Sequence, residues 1–518
     1  MMRARSLSVR TLLGFLLLGL TAPVAAQRVP ASESEARIAR FVAGMPEIPL
    51  QNGAPLRLTL AQWQEALGVP GVSVAVIDNG RIAWARGFGI RQAGRRERVT
   101  AGTLFQAGSI AKPVTALAAL QMVEHGELSL DGDINASLTS WRVPESPFTA
   151  TRPVTLRGLL AHTSGITPRG FPGYEPGTPV PTVVQILNGQ APANTPAAVP
   201  AAEPGAGVDY SGLGYTIVQL AMTERANEPF PQLMQRRVFA PLDLQDSSFE
   251  QPLPTALTAR AASGHDPSGL LVSGRWRIHP EMAAAGLWTT ASDLARIAIA
   301  VARSRQGRSS LILSEAMTRR MLTQEMNEMG VGWVVRSNDT TGYFAHNGGT
   351  VGYRAHMRMT AETGQGVVIL TNSDNGSDLF AAVVGSVAAE YGWENYTRRP
   401  VPPAIAIRLI AHARGVERAL AEYRHMRATL PANIVHQRDL NVWGYVLLGA
   451  GRHADAIRVF RENVTYHPDD GDVYDSLGEA LLASGDETGA IREYRRSLEL
   501  DPTNENARAV LARLRPAS

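Results

Sequence analysis

The sequence predicts a chain of two parts: one β-sheet assembled from both ends of a long segment and packed by helices, then an all-helical repeat. Three observations predict it. A strand–turn–strand pattern lies near the start, at residues 72–85. A second group of β-rich runs lies far downstream, at 332–371, with helix-like stretches between the two groups. Beyond residue 404 the residues recur at a fixed spacing of 34. With 518 residues, the length suggests two to four domains and ample chain for a core.

A helix-like stretch at 34–68 leads in. The run 72–77 (Val-Ser-Val-Ala-Val-Ile), the turn Asp78-Asn79-Gly80 and the run 81–85 form a hairpin signal, because Asn-Gly between β-rich runs favours a tight reversal. A helix around residues 109–117 follows. Residues 168–209 are rich in Pro, Gly and Ala, and strand material resumes well beyond them, so they read as a long loop or insertion rather than a boundary. β runs at 332–335, 343–345, 354–359 and 367–371 and a helix at 378–391 close the first part. The Arg-Arg-Pro-Val-Pro-Pro segment, 398–403, reads as a linker between a domain at 27–397 and one at 404–518.

In the tail, Gly444, Leu448, Gly451, Ala456, Phe460 and Pro468 recur as Gly478, Leu482, Gly485, Ala490, Tyr494 and Pro502. A weaker copy holds Ala419, Tyr423 and Pro431. This part resembles three tetratricopeptide repeats, roughly 404–516. The resemblance implies a protein or peptide partner, or else a packing appendage to the first part.

The first 26 residues read as a secretory signal: Arg3, Arg5 and Arg10, an apolar core at 12–20, and a small-residue cleavage site before Gln27. The apolar stretch is too short for a comfortable membrane span, so a cleaved signal and a periplasmic or secreted address are expected, with no lasting membrane anchor. Removing the segment takes away three arginines and no acid, so the formal charge of +3 falls to about zero. That net charge leaves no basic footprint for nucleic acid. Cysteine is absent, which excludes disulfides, a cysteine nucleophile and cysteine-ligated zinc. Neither Gly-x-Ser-x-Gly nor His-Glu-x-x-His occurs.

Lys112 is the only lysine, and the remaining 49 of the 50 cations are arginines. A guanidinium keeps its proton in proteins, whereas a buried or crowded ammonium can lose one and act as a base. Ser109 precedes Lys112 by three residues, in Ser-Ile-Ala-Lys, and on a helix i and i+3 share a face. A lysine there can relieve a serine of its proton. Two further segments carry chemistry: Asp209-Tyr210-Ser211-Gly212, a tyrosine in a glycine-rich turn, and His346-Asn347-Gly348-Gly349.

With the landmarks Leu-Leu-Ala-His-Thr-Ser-Gly (159–165) and Ala-Gly-Leu-Trp-Thr-Thr (285–290), these segments resemble the penicillin-recognising serine hydrolases of the class C β-lactamase, esterase and D-aminopeptidase group, over about residues 65–390. The resemblance implies an α/β sandwich of the β-lactamase/transpeptidase kind, an antiparallel sheet packed by helices with the site between sheet and helices, followed here by the all-α repeat domain. It implies Ser109 as nucleophile and Lys112 and Tyr210 as the pair that moves the proton, the phenol acting as a base only beside a cation. His346, Asn347 and Gly348 match the Lys-Thr-Gly strand motif that walls the site, and the amides of Ser109 and Gly349 match the oxyanion hole. No metal or organic cofactor is implied. Two departures stand out. The tyrosine motif ordinarily ends in Asn, which offers an amide to the substrate, and here Gly212 stands in its place; the strand motif begins with His346 rather than Lys. Both remove groups that grip a β-lactam or a peptide carboxylate.

The expectation is therefore an exported serine hydrolase that cleaves small esters or D-amino-acid peptides through a Ser109 acyl-enzyme, with β-lactamase activity second. The alternative from another class is a non-catalytic cell-wall peptide-binding protein whose repeats recruit a partner. His162 and Ser164 read as a helix-end turn, and Glu281 and Asp293 as capping or scaffold groups. Replacing Lys112 by Arg keeps the charge and removes the base, so ester turnover should fall by at least about a hundredfold; near-normal rates in that variant would sink the assignment.

Overall fold

The computed structural model describes residues 31–336, 342–394, 396 and 399–514. The expected signal segment and residue 398 of the expected linker lie outside the described residues. Six strands form the main sheet: β1 (Gly71–Asp78), β2 (Arg81–Gly89), β3 (Val334–Arg336), β4 (Tyr343–Thr350), β5 (Tyr353–Thr360) and β6 (Gln365–Thr371), in the order β2-β1-β6-β5-β4-β3. Every pairing is antiparallel. The first strand pairs with the last, Val72 opposite Thr371, so the two ends of the domain close on each other. The β1–β2 turn places Asn79 (φ 51°) and Gly80 (φ 68°) in the left-handed region, the backbone a two-residue hairpin with native twist requires.

The helix-like lead-in is two helices, Ala31–Ala43 and Leu60–Leu67, the second closed at its start by a Thr59/Gln62 capping box and at its end by Gly68. β4 runs beyond the expected 343–345 through the glycines to Thr350, because β5 pairs with it along its length. Residues 168–209 carry their own local order. Ile166–Thr167 pairs with Val199–Pro200, and a helix at Val183–Asn188 is capped by Thr182 and Gln185. The ends of the loop return together, since the Asp209 amide donates to the His162 carbonyl (2.8 Å) and the Gly205 amide to that of Thr163 (2.7 Å).

Strand periodicity divides the core. Residues 344, 355, 357 and 359 point to one face, against the helices Ala111–Glu124, Gly212–Ala226 and Ala291–Arg305. Val72, Val74, Val76, Val367 and Ile369 point to the other, against Ala31–Ala43 and Ser377–Tyr391. This second core continues without a break into the C-terminal helices, through Ile407, Trp443, Phe460 and Tyr494.

Those helices form three antiparallel pairs, from Pro403–Arg414 with Val416–Thr429 to Gly471–Ala483 with Glu487–Leu500, and a closing helix, Glu505–Leu514. The recurrence of 34 has a packing cause: a β-carbon at Gly444 would lie 2.4 Å from the Phe460 ring, and one at Gly478 3.2 Å from that of Tyr494. In the second and third pairs, glycine on the first helix makes room for the aromatic of the second. No helix among the described residues is long and apolar enough to cross a membrane.

Arg408, in the first of these helices, is buried and joins the two parts. It donates to Asp378 (2.7 Å) and to the Leu67 carbonyl (2.8 Å). Arg408→Ala leaves that carbonyl and carboxylate without their donor. It should destabilise the chain by about 3 kcal/mol in thermal unfolding, the low end of the range for a buried pair because Asp378 keeps some exposure; an unchanged melting curve would show that the two parts do not rely on this contact.

Candidate active site

Ser109 lies in a single 3₁₀ turn, Gly108–Ile110, that runs directly into the helix Ala111–Glu124. Amides at a helix start have no carbonyl behind them and favour negative charge. Lys112 is 2% exposed. Its Nζ donates to Ser109 Oγ (3.2 Å) and to the Ala284 carbonyl (2.9 Å), and it sits 4.8 Å from the ring centre of Tyr210 and 5.5 Å from that of Tyr215. Among the described residues no carboxylate forms an ion pair with it. Tyr215 is buried, its hydroxyl donating to the Leu160 carbonyl (2.8 Å); burial pushes that phenol far up, so it stays neutral and acts as an aromatic wall.

The strand motif reaches the site by close backbone contact. A β-carbon at Gly348 would lie 1.9 Å from the Ala107 carbonyl oxygen, and one at Gly108 (φ 52°) 2.6 Å from the Gly349 amide nitrogen. Glycine at 108 and 348 thus lets β4 lie directly on the Ser109 turn. β3 ends opposite Ala345, so from His346 onward β4 has no strand partner on that edge among the described residues. Thr350 Oγ1 donates to Gln106 Oε1 (2.8 Å), tying the strand to the segment before Ser109.

Strand alternation separates the four predicted strand residues. His346 faces the helical layer: its ring lies 6.4 Å from that of Tyr210, and Lys112 acts on its titration. Burial, then the Lys112 charge, pushes it down to about 4, and its Nδ1–H donates to the Asn347 carbonyl (2.6 Å). At neutral pH His346 is an uncharged acceptor at Nε2. Asn347 turns its side chain to the opposite face, where its Oδ1 accepts from His356 Nδ1 (2.7 Å), itself stacked on Phe380. Asn347, expected to wall the site as part of this motif, instead has its side chain behind the sheet. Of this motif, only His346 and the Gly348–Gly349 backbone approach Ser109.

The structure also gives a physical reason for glycine at 212. A β-carbon there would lie 2.7 Å from Phe171 Cε1 and 2.8 Å from the Arg169 carbonyl oxygen, and the Gly212 amide donates to that same carbonyl (2.7 Å). The 168–209 loop occupies the space a longer side chain would need.

Sequence reasoning missed Tyr215 and the Ala284 carbonyl, and it read His162 as a plain turn. The only signals were a second tyrosine five residues past Tyr210 and a run of small residues at 283–286. Asp293 is a scaffold group: it accepts from the Asp246 amide and Ser247 and pairs with Arg296. Glu281 differs from its expected capping role. Its main-chain carbonyl accepts from the Ala284 and Ala285 amides, but neither carboxylate oxygen has a hydrogen-bond partner. Burial pushes that carboxyl up to about 7, its own amide only partly offsetting the cost. His279, two residues earlier, is buried with both ring nitrogens unpartnered and is pushed down to about 4, first by burial and then by Arg277 and Lys112.

The model for the family described as Beta-lactamase matches residues 56–388, and one described as Tetratricopeptide repeat matches 447–514. The chain belongs to the β-lactamase family of serine hydrolases and carries a C-terminal tetratricopeptide repeat region. It is 26% identical over 359 residues to penicillin-binding protein 4 of Amycolatopsis lactamdurans, covering 63% of this chain and 90% of that protein. It is 24% identical over 229 residues to protein flp of Staphylococcus aureus strain N315, covering 43% of this chain and 42% of flp. Among solved structures, the octameric penicillin-binding protein homologue from Pyrococcus abyssi superposes with a TM-score of 0.51 at 23% identity, over 68% of this chain and 79% of that one. The D-amino acid amidase from Ochrobactrum anthropi SV3 does so with 0.50 at 22%, over 64% and 98%. These likenesses show the same fold.

Glu281 yields a signed prediction. Between pH 4.5 and 7 the folded chain holds a proton at Glu281 that the unfolded chain has released, so this group lowers stability as pH rises through that window. Glu281→Gln should match the native chain near pH 4 and exceed it by about 3 kcal/mol above pH 7. The buried histidines act in the opposite sense, losing stability as pH falls below 6.5, and cancel in the comparison. Melting curves whose difference does not widen across the window would refute the burial of an unpaired carboxyl.

Proposed function

We propose that this chain is an exported serine hydrolase, addressed by residues 1–26 to the periplasm or the medium, that cleaves small neutral esters or D-amino-acid amides and peptides. The observation that carries the reading is the Lys112 side chain held with its Nζ 3.2 Å from Ser109 Oγ and, among the described residues, with no acidic counter-ion. Ser109 Oγ attacks the carbonyl carbon while its proton passes to whichever member of the Lys112–Tyr210 pair starts without one, the amine or the phenolate. The amides of Ser109 and Gly349 receive the oxyanion, and the proton returns to the leaving alcohol or amine as the acyl-enzyme forms. Water, relieved of a proton by the same pair, then releases the acid.

The site's charge favours neutral substrates. His346 carries no positive charge at neutral pH, and Arg354, on the neighbouring strand, is committed to Asp374 (2.8 Å). Gly212 presents no side-chain amide, and Phe171 stands against it. A substrate whose recognition depends on a carboxylate, as a penicillin's does, meets little to hold it. Similarity to a penicillin-binding protein and a D-amino acid amidase supports acyl transfer at a carbonyl as the reaction class. The repeats supply a surface for a protein or peptide partner.

A fluorophosphonate should label the purified chain, and Ser109→Ala should take no label. A short-chain p-nitrophenyl ester should turn over, while a fluorescent penicillin reacts at least about tenfold more slowly. Faster reaction with the penicillin would move the reading to β-lactamase activity. Absence of any label in the folded chain would leave a binding protein.

A further inference from the structure

His162 contacts the Tyr210 segment at three points, none of which the acyl-transfer scheme uses. Its imidazole stacks on the Tyr210 ring, with centres 4.1 Å apart and planes 29° from parallel. Its Nδ1 accepts the Ser211 amide hydrogen at 3.0 Å, and its carbonyl accepts the Asp209 amide at 2.8 Å. The backbone of residues 209–211 is thereby fixed on both sides of Tyr210, and the phenol ring is fixed on its face.

The residue meets this geometry at a conformational cost. His162 has φ 59°, in the left-handed region that most side chains avoid, and it is 1% exposed. That backbone turns the chain at the end of the helix Leu156–Leu160 so that side chain and carbonyl both address the 209–211 segment. A residue needed only to end a helix would be satisfied by glycine. Because Nδ1 accepts from a backbone N–H, the single ring proton sits on Nε2, and the ring must be neutral to serve. The groups that face it are Lys112, His346, Tyr210 and Tyr215. Its burial together with the Lys112 charge keeps it in that state.

We infer that His162 is a positioning residue for the acyl-transfer step: a neutral imidazole that sets the phenol of Tyr210 against the Lys112 ammonium. It touches neither Ser109 nor a substrate carbonyl in this scheme and acts through Tyr210. The inference rests on the serine-hydrolase reading, in which Tyr210 shares the proton with Lys112.

Two substitutions in the full-length chain separate the contacts. His162→Phe keeps a ring for stacking and removes the acceptor of the Ser211 amide. His162→Asn tolerates the left-handed backbone and offers an oxygen acceptor, but removes the stack. With a neutral p-nitrophenyl ester, His162→Phe should lose about a hundredfold in kcat with KM within about threefold, the size of effect expected when a reacting group shifts by about an ångström. His162→Asn should lose about three- to tenfold, again with KM little changed, because the backbone anchor survives. The rate of fluorophosphonate labelling should fall in parallel, and Tyr210→Phe sets the floor. Wild-type kcat in either variant would overturn the inference. So would a loss in His162→Asn as deep as that of Tyr210→Phe, which would make His162 a proton carrier. Should His162→Phe not fold, the kcat of His162→Asn decides alone. A wild-type chain that takes no label would overturn the hydrolase reading and this inference together, a result distinct from normal labelling with insensitive His162 variants.

Discussion

The site is organised around one buried cation that no acid among the described residues neutralises. An ammonium removed from water is costly unless polar groups replace its hydration. Lys112 receives that replacement from the Ser109 hydroxyl, the Ala284 carbonyl and the faces of two tyrosines. A carboxylate in the same place would stabilise the charge more strongly and would also hold the proton there. Carbonyl and aromatic partners accommodate the cation without that lock. The neighbours obey the same constraint. His162, His279 and His346 are each held in their neutral forms by burial, and the Lys112 field adds to the effect at all three. A second permanent cation on β4 would raise the cost further, and a neutral imidazole at 346 avoids it.

Close approach of backbones is the second requirement. The Ser109 turn and the edge of β4 meet with no side chain between them: glycine at 348 admits the Ala107 carbonyl, and glycine at 108 admits the Gly349 amide. The same logic holds at 212, where the 168–209 loop lies so close that only glycine fits. The departure from an Asn-terminated tyrosine motif is thus matched by the course of the 168–209 loop, whose Arg169 and Phe171 close over position 212. The two features are one change in the shape of the site.

What was legible in the sequence follows from how far each signal reaches. The Asn79-Gly80 turn, the Ser109–Lys112 spacing and the 34-residue recurrence are local patterns, each bound to a local geometry, and each is found in the structure as expected. The length of β4 was not legible, because His346 to Gly349 have weak strand preference and are held extended by pairing with β5. The side of the sheet that Asn347 faces depends on register, which a strand of uncertain start cannot set. Glu281 stands where a capping acid belongs, yet whether a carboxylate finds a donor depends on what packs over it. The stacking of His162 on Tyr210 joins residues 48 apart and left no periodic trace.

The repeat region bears on the site through the sheet. One face of the sheet carries the helices that hold Ser109, Lys112 and Tyr210. The other shares a continuous apolar core with the repeats, and Arg408 of the first repeat helix bonds to both Asp378 and the Leu67 carbonyl. Residues of β1 and β6 contribute to both cores by alternation, so the strands that meet the repeats also back the layer that holds Ser109. The contact extends to the loop beside β4: a β-carbon at Gly449 would lie 1.8 Å from Ser268 Oγ, and His265 in the same loop donates its amide to Gly352, at the β4–β5 turn. A stack of helices that merely tethered a partner would need neither a buried arginine in the hydrolase nor a glycine fitted against this loop. The repeats pack against the hydrolase domain as its back wall.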